Sequence, residues 1–187
     1  MMYVNTQYPW DGTEFLRPPQ VSQIHNPVGS YVCWFEVDEA LKGKEISISF
    51  QGVESAFYLW CNGQFVGYGE DTFTPSDFDL TPYLCEGKNK LAVEVYKRSS
   101  ASWLEDQDFW RFSGIFRDVF LYAVPKTHVE DLFVKATLDE AYVNGKLDIT
   151  AKLAGKISGN VTVSLEDAEG QVVYTHPDRQ SGSAGMP

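Results

Sequence analysis

The stretch Glu45–Phe50 reads EISISF and alternates apolar with polar side chains. Side chains of a β-strand point alternately to opposite faces, so this pattern places Ile46, Ile48 and Phe50 on one face of a strand. The segment Lys90–Tyr96 repeats the pattern, with an apolar residue at every second position. Half-buried strands of this kind predict an all-β protein built from antiparallel sheets.

A β-hairpin is predicted in residues 56–68, where two apolar runs flank Asn62-Gly63. Asn-Gly suits the positive φ angles of a type I′ turn, which joins two antiparallel strands. Tyr58 and Trp60, in the first apolar run, are expected to pack into the core. The hairpin therefore adds two neighbouring strands to the predicted sheet.

Other elements are predicted in the first 124 residues. Tyr31–Val37 is apolar on both faces, which is typical of a central strand in a sheet. Thr81-Pro82 favours one short helical turn. Val119–Val124 is predicted to be a strand, and Pro125 ends it.

The character of the sequence changes after Pro125. Aromatic residues become sparse, and short strands alternate with plain turns. The predicted strands are Val129–Leu138, Lys146–Leu153, Asn160–Leu165 and Val172–Thr175. An immunoglobulin-like sandwich needs about seven strands. Residues 125–187 therefore predict only the start of such a domain, with a flexible Gly- and Ser-rich end.

Composition excludes several classes of partner. The formal net charge is −11, with 15 Lys and Arg against 26 Asp and Glu. Neither nucleic acid nor an anionic membrane is therefore an expected partner. No stretch approaches the ~18 apolar residues of a membrane helix. Three cysteines and no visible signal peptide predict reduced thiols and a cytoplasmic location.

The segment Trp103–Val119 reads WLEDQDFWRFSGIFRDV and combines four acids, two arginines and five aromatic residues. Aromatic rings and carboxylates together are typical of a sugar site, because apolar sugar faces stack on rings and hydroxyls donate to carboxylates. An Asp–Arg network that fixes a loop uses the same residue types. Composition leaves both interpretations open and favours the network.

The same segment resembles the LEDQDxWRxSGIFRDV signature of family 2 glycoside hydrolases, in their β-galactosidase branch. Gly52–Gly69, Asn26–Tyr31 and Pro75–Leu80 are similar to the same domain, in the same order. The resemblance extends from about Tyr3 to Val124.

This resemblance implies an all-β fold, a jelly-roll β-sandwich followed by an incomplete immunoglobulin-like β-sandwich. Residues 1–124 correspond to the sugar-binding jelly-roll domain without its first strands, and residues 125–187 to the start of the next domain. In the family, the jelly roll lies beside a TIM barrel that supplies two catalytic glutamates for retaining hydrolysis of β-galactosides. No catalytic residue is therefore expected in this chain.

The resemblance also implies a substrate site. Asp108, the second Asp of the EDQD run, corresponds to a residue that contacts galactose hydroxyls and a bound sodium ion. Asn5, shortly before Tyr8-Pro9, corresponds to a second galactose-binding residue. An ionised carboxylate accepts hydrogen bonds from hydroxyls and binds a hard cation, whereas an amide both donates and accepts. Glu105 and Asp106 are expected instead to be structural partners of the nearby arginines.

The resemblance implies sodium, and magnesium as a further ion, as cofactors of the parent enzyme. Expected partners are galactose or a β-galactoside, the TIM barrel of the same enzyme and, through an open sheet edge, a second copy of the chain. Two other functions stay open, a stand-alone carbohydrate-binding module and a structural docking domain. Within the family, β-glucuronidase and β-mannosidase are sibling activities.

The isolated chain is expected to hydrolyse no galactoside, because a retaining mechanism needs two carboxyl groups about 5 Å apart on a scaffold that holds them. The measurement is the release of nitrophenol from a nitrophenyl β-galactoside, with a complete β-galactosidase as the positive control. Turnover by the purified chain would contradict this expectation.

Overall fold

The structure is a computed structural model that describes residues 14–105, 110–156 and 160–178. Within those residues the regular structure consists of thirteen β-strands and three short 3-10 helices. The chain divides into two compact units, Met1–Ala123 and Val124–Pro187. The predicted all-β fold is confirmed. The Gly- and Ser-rich end of the chain lies outside the described residues.

The described strands of the first unit form two larger sheets and one short pair. The strands are β1 (Val28–Glu36), β2 (Glu45–Phe50), β3 (Val53–Glu54), β4 (Ala56–Cys61), β5 (Gln64–Gly69), β6 (Ser76–Asp79), β7 (Lys88–Tyr96), β8 (Gly114–Ile115) and β9 (Val119–Val124). The 3-10 helices are Glu39–Leu41, Thr81–Tyr83 and Ser100–Trp103. One sheet has the order β1-β7-β4-β5 and another the order β6-β2-β9, while β3 pairs with β8.

The core of the first unit lies between the two larger sheets. Ile48 and Phe50 of β2 pack in one cluster with Phe57 and Leu59 of β4 and Val93 of β7. Each of these side chains is at most 4% exposed. The rings of Phe50 and Phe57 come from different sheets, and their centroids are 4.8 Å apart. The alternating patterns of β2 and β7 therefore predicted the core-facing residues correctly.

The predicted hairpin is confirmed as β4 and β5, with φ angles of 51° at Asn62 and 80° at Gly63. The Asn62 side chain also connects this turn to two other segments of the same chain. Its Nδ2 donates to the Tyr83 carbonyl oxygen at 2.9 Å and to Asn89 Oδ1 at 2.8 Å. Its Oδ1 accepts from the Lys90 amide at 2.8 Å. Asn89 is fully buried, so the bond from Asn62 replaces water that its side-chain carbonyl oxygen loses.

The strand predicted to be central, Tyr31–Val37, corresponds to β1, which lies at the edge of its sheet within the described part of the chain. Among the described residues, β1 pairs with β7 along one edge and its other edge has no paired strand. Val32 and Trp34 are 59% and 63% exposed. A strand that is apolar on both faces needs cover on both faces, but the sequence pattern does not say which element provides it.

Tyr58 and Trp60 were also expected in the core, and the structure places them on the opposite face of β4. Phe57 and Leu59 alternate with them and fill the buried face. Tyr58 is 36% exposed and Trp60 is half-buried. Both faces of β4 carry large apolar side chains, so hydrophobicity alone could not identify the inner one.

The second unit consists of two hairpins in its described residues. They pair β10 (His128–Leu138) with β11 (Gly145–Ala154), and β12 (Val161–Glu166) with β13 (Val172–Asp178), both antiparallel. Many of their apolar side chains are exposed, and Phe133 is 60% exposed. These four strands match the predicted ones to within a few residues. That they begin an immunoglobulin-like sandwich stays a prediction.

Two general properties follow from the described residues. They include no helix with the length and apolar content of a membrane span. All three cysteines carry free thiols, with Cys61 buried and Cys33 and Cys85 exposed.

Replacing Leu59 with alanine is expected to lower the free energy of unfolding by about 2–5 kcal/mol, because it leaves a cavity between the two sheets. Leu59 is 0% exposed. Urea unfolding followed by circular dichroism measures the change. The matched control is Leu104→Ala, since Leu104 is 84% exposed and its truncation should cost no more than about 0.5 kcal/mol. Equal effects of the two substitutions would contradict the proposed core.

Candidate functional site

Asp108 and Asn5, the two residues predicted to bind galactose, lie outside the described residues. The same holds for Asp106 and for the sodium site predicted at Asp108. The structure does describe the chain on both sides of residues 106–109, and it shows what holds each side in place.

Glu105, just before residues 106–109, is held by its carboxylate. Its Oε1 accepts from the Thr72 amide at 3.1 Å, and its Oε2 accepts from the Thr72 hydroxyl at 2.8 Å. Arg111, two positions after residue 109, donates from Nη1 to the carbonyl oxygen of Glu105 at 2.9 Å. Glu105 was expected to partner an arginine, and Arg111 does contact it, through the main-chain oxygen. These bonds connect Glu105 to Arg111 and to the 71–74 turn.

Arg117 has a similar anchoring role further along the segment. Its Nη1 donates to the carbonyl oxygens of Gln51 at 3.2 Å and Phe73 at 2.9 Å. The guanidinium carbon also lies 5.9 Å from the ring centroid of Phe73 and 5.3 Å from that of Phe116. For this arginine the structure supports the interpretation of a network that fixes a loop, because the guanidinium contacts main-chain oxygens and aromatic faces.

The Ser113-Gly114 pair makes the turn into β8. Both residues have positive φ angles, 55° and 77°, and the Ser113 amide donates to the buried Glu54 Oε2 at 2.6 Å. A Cβ atom on residue 114 would lie 2.5 Å from the Tyr31 hydroxyl oxygen. Glycine is therefore required at 114 both for its backbone conformation and for the close approach of Tyr31.

A cavity of about 550 Å³ opens on the outer side of the sheet that contains β4 and β7. Its aromatic wall consists of Tyr58, Tyr68 and Tyr96, and Arg98 and Ser100 contribute polar groups. The volume falls in the range of small-molecule sites, about 300–1,000 Å³. Sequence reasoning missed this cavity. Tyr58 and Tyr68 face each other across the predicted hairpin, but Tyr96 is distant in the chain, and only the pairing of β7 with β4 brings it beside Tyr58.

Glu70 fixes one wall of this cavity. Its Oε2 accepts from the Tyr68 hydroxyl at 2.5 Å, and its Oε1 accepts from the Ser100 hydroxyl at 2.7 Å and the Ala101 amide at 2.8 Å. Burial raises the pKa of Glu70, but these hydrogen bonds outweigh burial and lower the pKa to about 2. Burial and then the bond to Glu70 raise the pKa of the Tyr68 hydroxyl. The carboxylate is thus ionised at neutral pH and the phenol is protonated.

The described part of the chain contains no preformed cluster of typical metal-binding side chains. No group of three or more His, Cys, Asp or Glu side chains converges there.

Comparison with known proteins agrees with the β-sandwich architecture. The profile of the sugar binding domain of glycosyl hydrolases family 2 matches residues 1–125. A β-galactosidase of Clostridium acetobutylicum is 64% identical over 171 residues, which cover 91% of this chain and 19% of that protein. A β-galactosidase of Halalkalibacterium halodurans is 58% identical over 175 residues, 92% of this chain and 17% of that protein.

A solved structure extends the comparison to the fold. The crystal structure of Bacteroides uniformis β-glucuronidase superposes with a TM-score of 0.68 at 24% identity, over 81% of this chain and 19% of that one. At this identity the likeness concerns the fold alone.

The fold and the matching profile place residues 1–125 in the class of all-β sugar-binding domains of glycosidases. The chain belongs to glycosyl hydrolases family 2, and residues 1–125 match the sugar-binding domain of that family. The resemblance found in the sequence is thereby confirmed. The chain spans about a fifth of the length of these two β-galactosidases.

Replacing Glu70 with glutamine is expected to reduce stability at neutral pH and to matter less in acid. The carboxyl pKa is lowered from 4.5 to about 2 on folding, so ionised Glu70 stabilises the fold above its unfolded pKa. That contribution is lost as the pH falls from about 5 towards 2. Urea unfolding of both proteins across this range measures the difference, with the exposed Glu86→Gln as the matched control. A difference that stays constant down the pH range would contradict this assignment.

Proposed function

We propose that this chain is the sugar-binding part of a retaining β-galactosidase that acts on terminal β-D-galactosides. The supporting observation is the family match together with relatives named β-galactosidase at 64% and 58% identity over nine-tenths of the chain. The likeness to β-glucuronidases rests on 24% identity, so galactoside is ranked before glucuronide. The free thiols agree with a cytoplasmic location for the protein.

Catalysis in this proposal belongs to a TIM barrel of the same enzyme. Two barrel glutamates cleave the glycosidic bond, one as nucleophile and the other as acid and then base. The sugar-binding domain contributes contacts to the galactose ring and orients it for attack. Such contacts accelerate the reaction by holding the substrate in a reactive geometry.

Asp108 is the proposed main contact of this domain with substrate. As an ionised carboxylate it accepts hydrogen bonds from galactose hydroxyls, and it is a suitable ligand for a sodium ion. The bonds of Glu105 to Thr72 and of Arg111 to Glu105 support this role, because they fix the described residues on either side of residues 106–109. A contact group placed between two fixed points loses less conformational entropy on binding.

Asn5 is the second proposed contact. Its amide donates one hydrogen bond and accepts another, which suits a sugar hydroxyl. In the proposed galactose site, Asp108 therefore supplies hydrogen-bond acceptors, and Asn5 supplies both a donor and an acceptor. Sodium, and magnesium as a further ion, are the proposed cofactors of the whole enzyme.

Replacing Asp108 with alanine is expected to lower kcat/KM for a β-galactoside by about 10- to 100-fold, the usual loss for a hydrogen bond to a charged group. The substitution is made in the C. acetobutylicum β-galactosidase after its matched 171 residues are exchanged for those of this chain. The unsubstituted chimera gives the reference activity.

The matched control is Asp118→Ala, an exposed aspartate ten residues further along the same segment, which should leave kcat/KM unchanged. Potassium in place of sodium should lower the kcat/KM of the chimera, and it should lower that of the Asp108→Ala form less. An Asp108→Ala enzyme as active as the chimera would leave the domain a structural scaffold.

A further inference from the structure

A run of aromatic rings covers the outer side of the four-stranded sheet. Tyr96 of β7, Tyr58 and Trp60 of β4, and Phe65 and Tyr68 of β5 form it, and it is called the aromatic face below. Ring centroids are 5.8 Å apart for Tyr58 and Tyr96, 4.9 Å for Tyr58 and Tyr68, and 5.9 Å for Trp60 and Phe65. Tyr58, Phe65 and Tyr68 are 36%, 53% and 43% exposed. The rings thus form a continuous, solvent-accessible apolar surface.

The cavity described above lies at the Tyr96 end of the aromatic face, and Arg98 lines it. Within the described residues, no hydrogen bond or ion pair engages the Arg98 guanidinium, and its Nε is buried without an acceptor. The main chain of Arg98 is held firmly, since its amide donates to Asn26 Oδ1 at 2.9 Å and its carbonyl accepts from Asn26 Nδ2 at 2.9 Å. A guanidinium kept beside aromatic rings without an acceptor favours a ligand that supplies one.

The charges around the cavity decide which ligand suits it. Glu70 is ionised, and Glu94 lies opposite Tyr58 in the strand register and beside Tyr96. One cation and two carboxylates disfavour an anionic ligand. They suit groups that both donate and accept, which is the property of hydroxyls. A purely apolar protein segment would leave the Arg98 guanidinium without a partner.

We propose that the aromatic face and its cavity bind a neutral β-linked hexose oligosaccharide. The pyranose rings stack their C–H faces on Tyr58, Tyr96 and the neighbouring rings, and hydroxyls accept from Arg98 and donate to Glu94. This site involves residues other than Asp108 and Asn5 and goes beyond the galactose contacts proposed above.

The affinity is expected in the millimolar range, because the site is open and has few polar contacts. The test is an NMR titration of the 187-residue chain with cellotriose, which contains no galactose, and with β-1,4-galactotriose. Binding is expected to shift the ring signals of Tyr58, Tyr68 and Tyr96 and the Nε–H signal of Arg98. Both Tyr58→Ala and Arg98→Gln should weaken binding at least about fivefold.

Matched controls separate this site from the one proposed at Asp108. Phe133→Ala removes an exposed ring of the second unit and should leave the titration unchanged. Tyr58→Phe keeps the ring and should bind nearly as well as the original chain. Urea unfolding checks that each variant is folded. If Tyr58→Ala does not fold, the effect of Arg98→Gln on saccharide binding tests the proposal.

Two results would overturn the proposal. One is the absence of any shift with either saccharide at about 20 mM, well above the expected dissociation constant. The other is binding that survives Tyr58→Ala and Arg98→Gln but disappears in Asp108→Ala, which would assign it to the galactose site. A loss of chimera activity in Asp108→Ala with intact cellotriose binding would support both sites independently.

Discussion

The contact between Phe50 and Phe57 is the interaction on which the first unit depends. The two rings come from different sheets, and their centroids lie 4.8 Å apart. Phe78 of a third strand packs edge-on against both, at 6.3 Å and 5.8 Å. An open sheet is stable only when its apolar face is covered. Joining the sheets here fixes which face of β4 is inside, and thereby sends Tyr58 to the outside.

The loops of this unit are held by polar groups that face main-chain atoms. Asn62 bonds to the Tyr83 carbonyl, the Asn89 side chain and the Lys90 amide. Arg111 bonds to the Glu105 carbonyl, and Glu105 and Arg117 connect the segment that follows β7 to Thr72 and Phe73. Buried amides and charges are costly unless they are hydrogen-bonded, so such residues keep one loop conformation.

Sequence reasoning succeeded where a pattern has one structural solution and failed where it has several. The EISISF alternation and Asn62-Gly63 correctly located strands and a turn, because both depend on local backbone geometry. For β1 and Tyr58, the apolar residues were recognised but their position in the sheet was not. Strand order and the inner face depend on contacts between residues far apart in the chain. The cavity beside Arg98 was missed for the same reason.

The sequence by itself determined the all-β class, most strand positions and the family, since alternation, turn residues and a long co-linear motif are all local properties. It also named Asp108 and Asn5, through the family resemblance and without any geometry. Only the tertiary structure decided that β1 lies at a sheet edge among the residues it describes, and that Glu105 binds Thr72. It alone gathered three tyrosines and Arg98 around one cavity. The physical reason is that strand pairing joins residues by register, and register is fixed by the packing of the whole sheet.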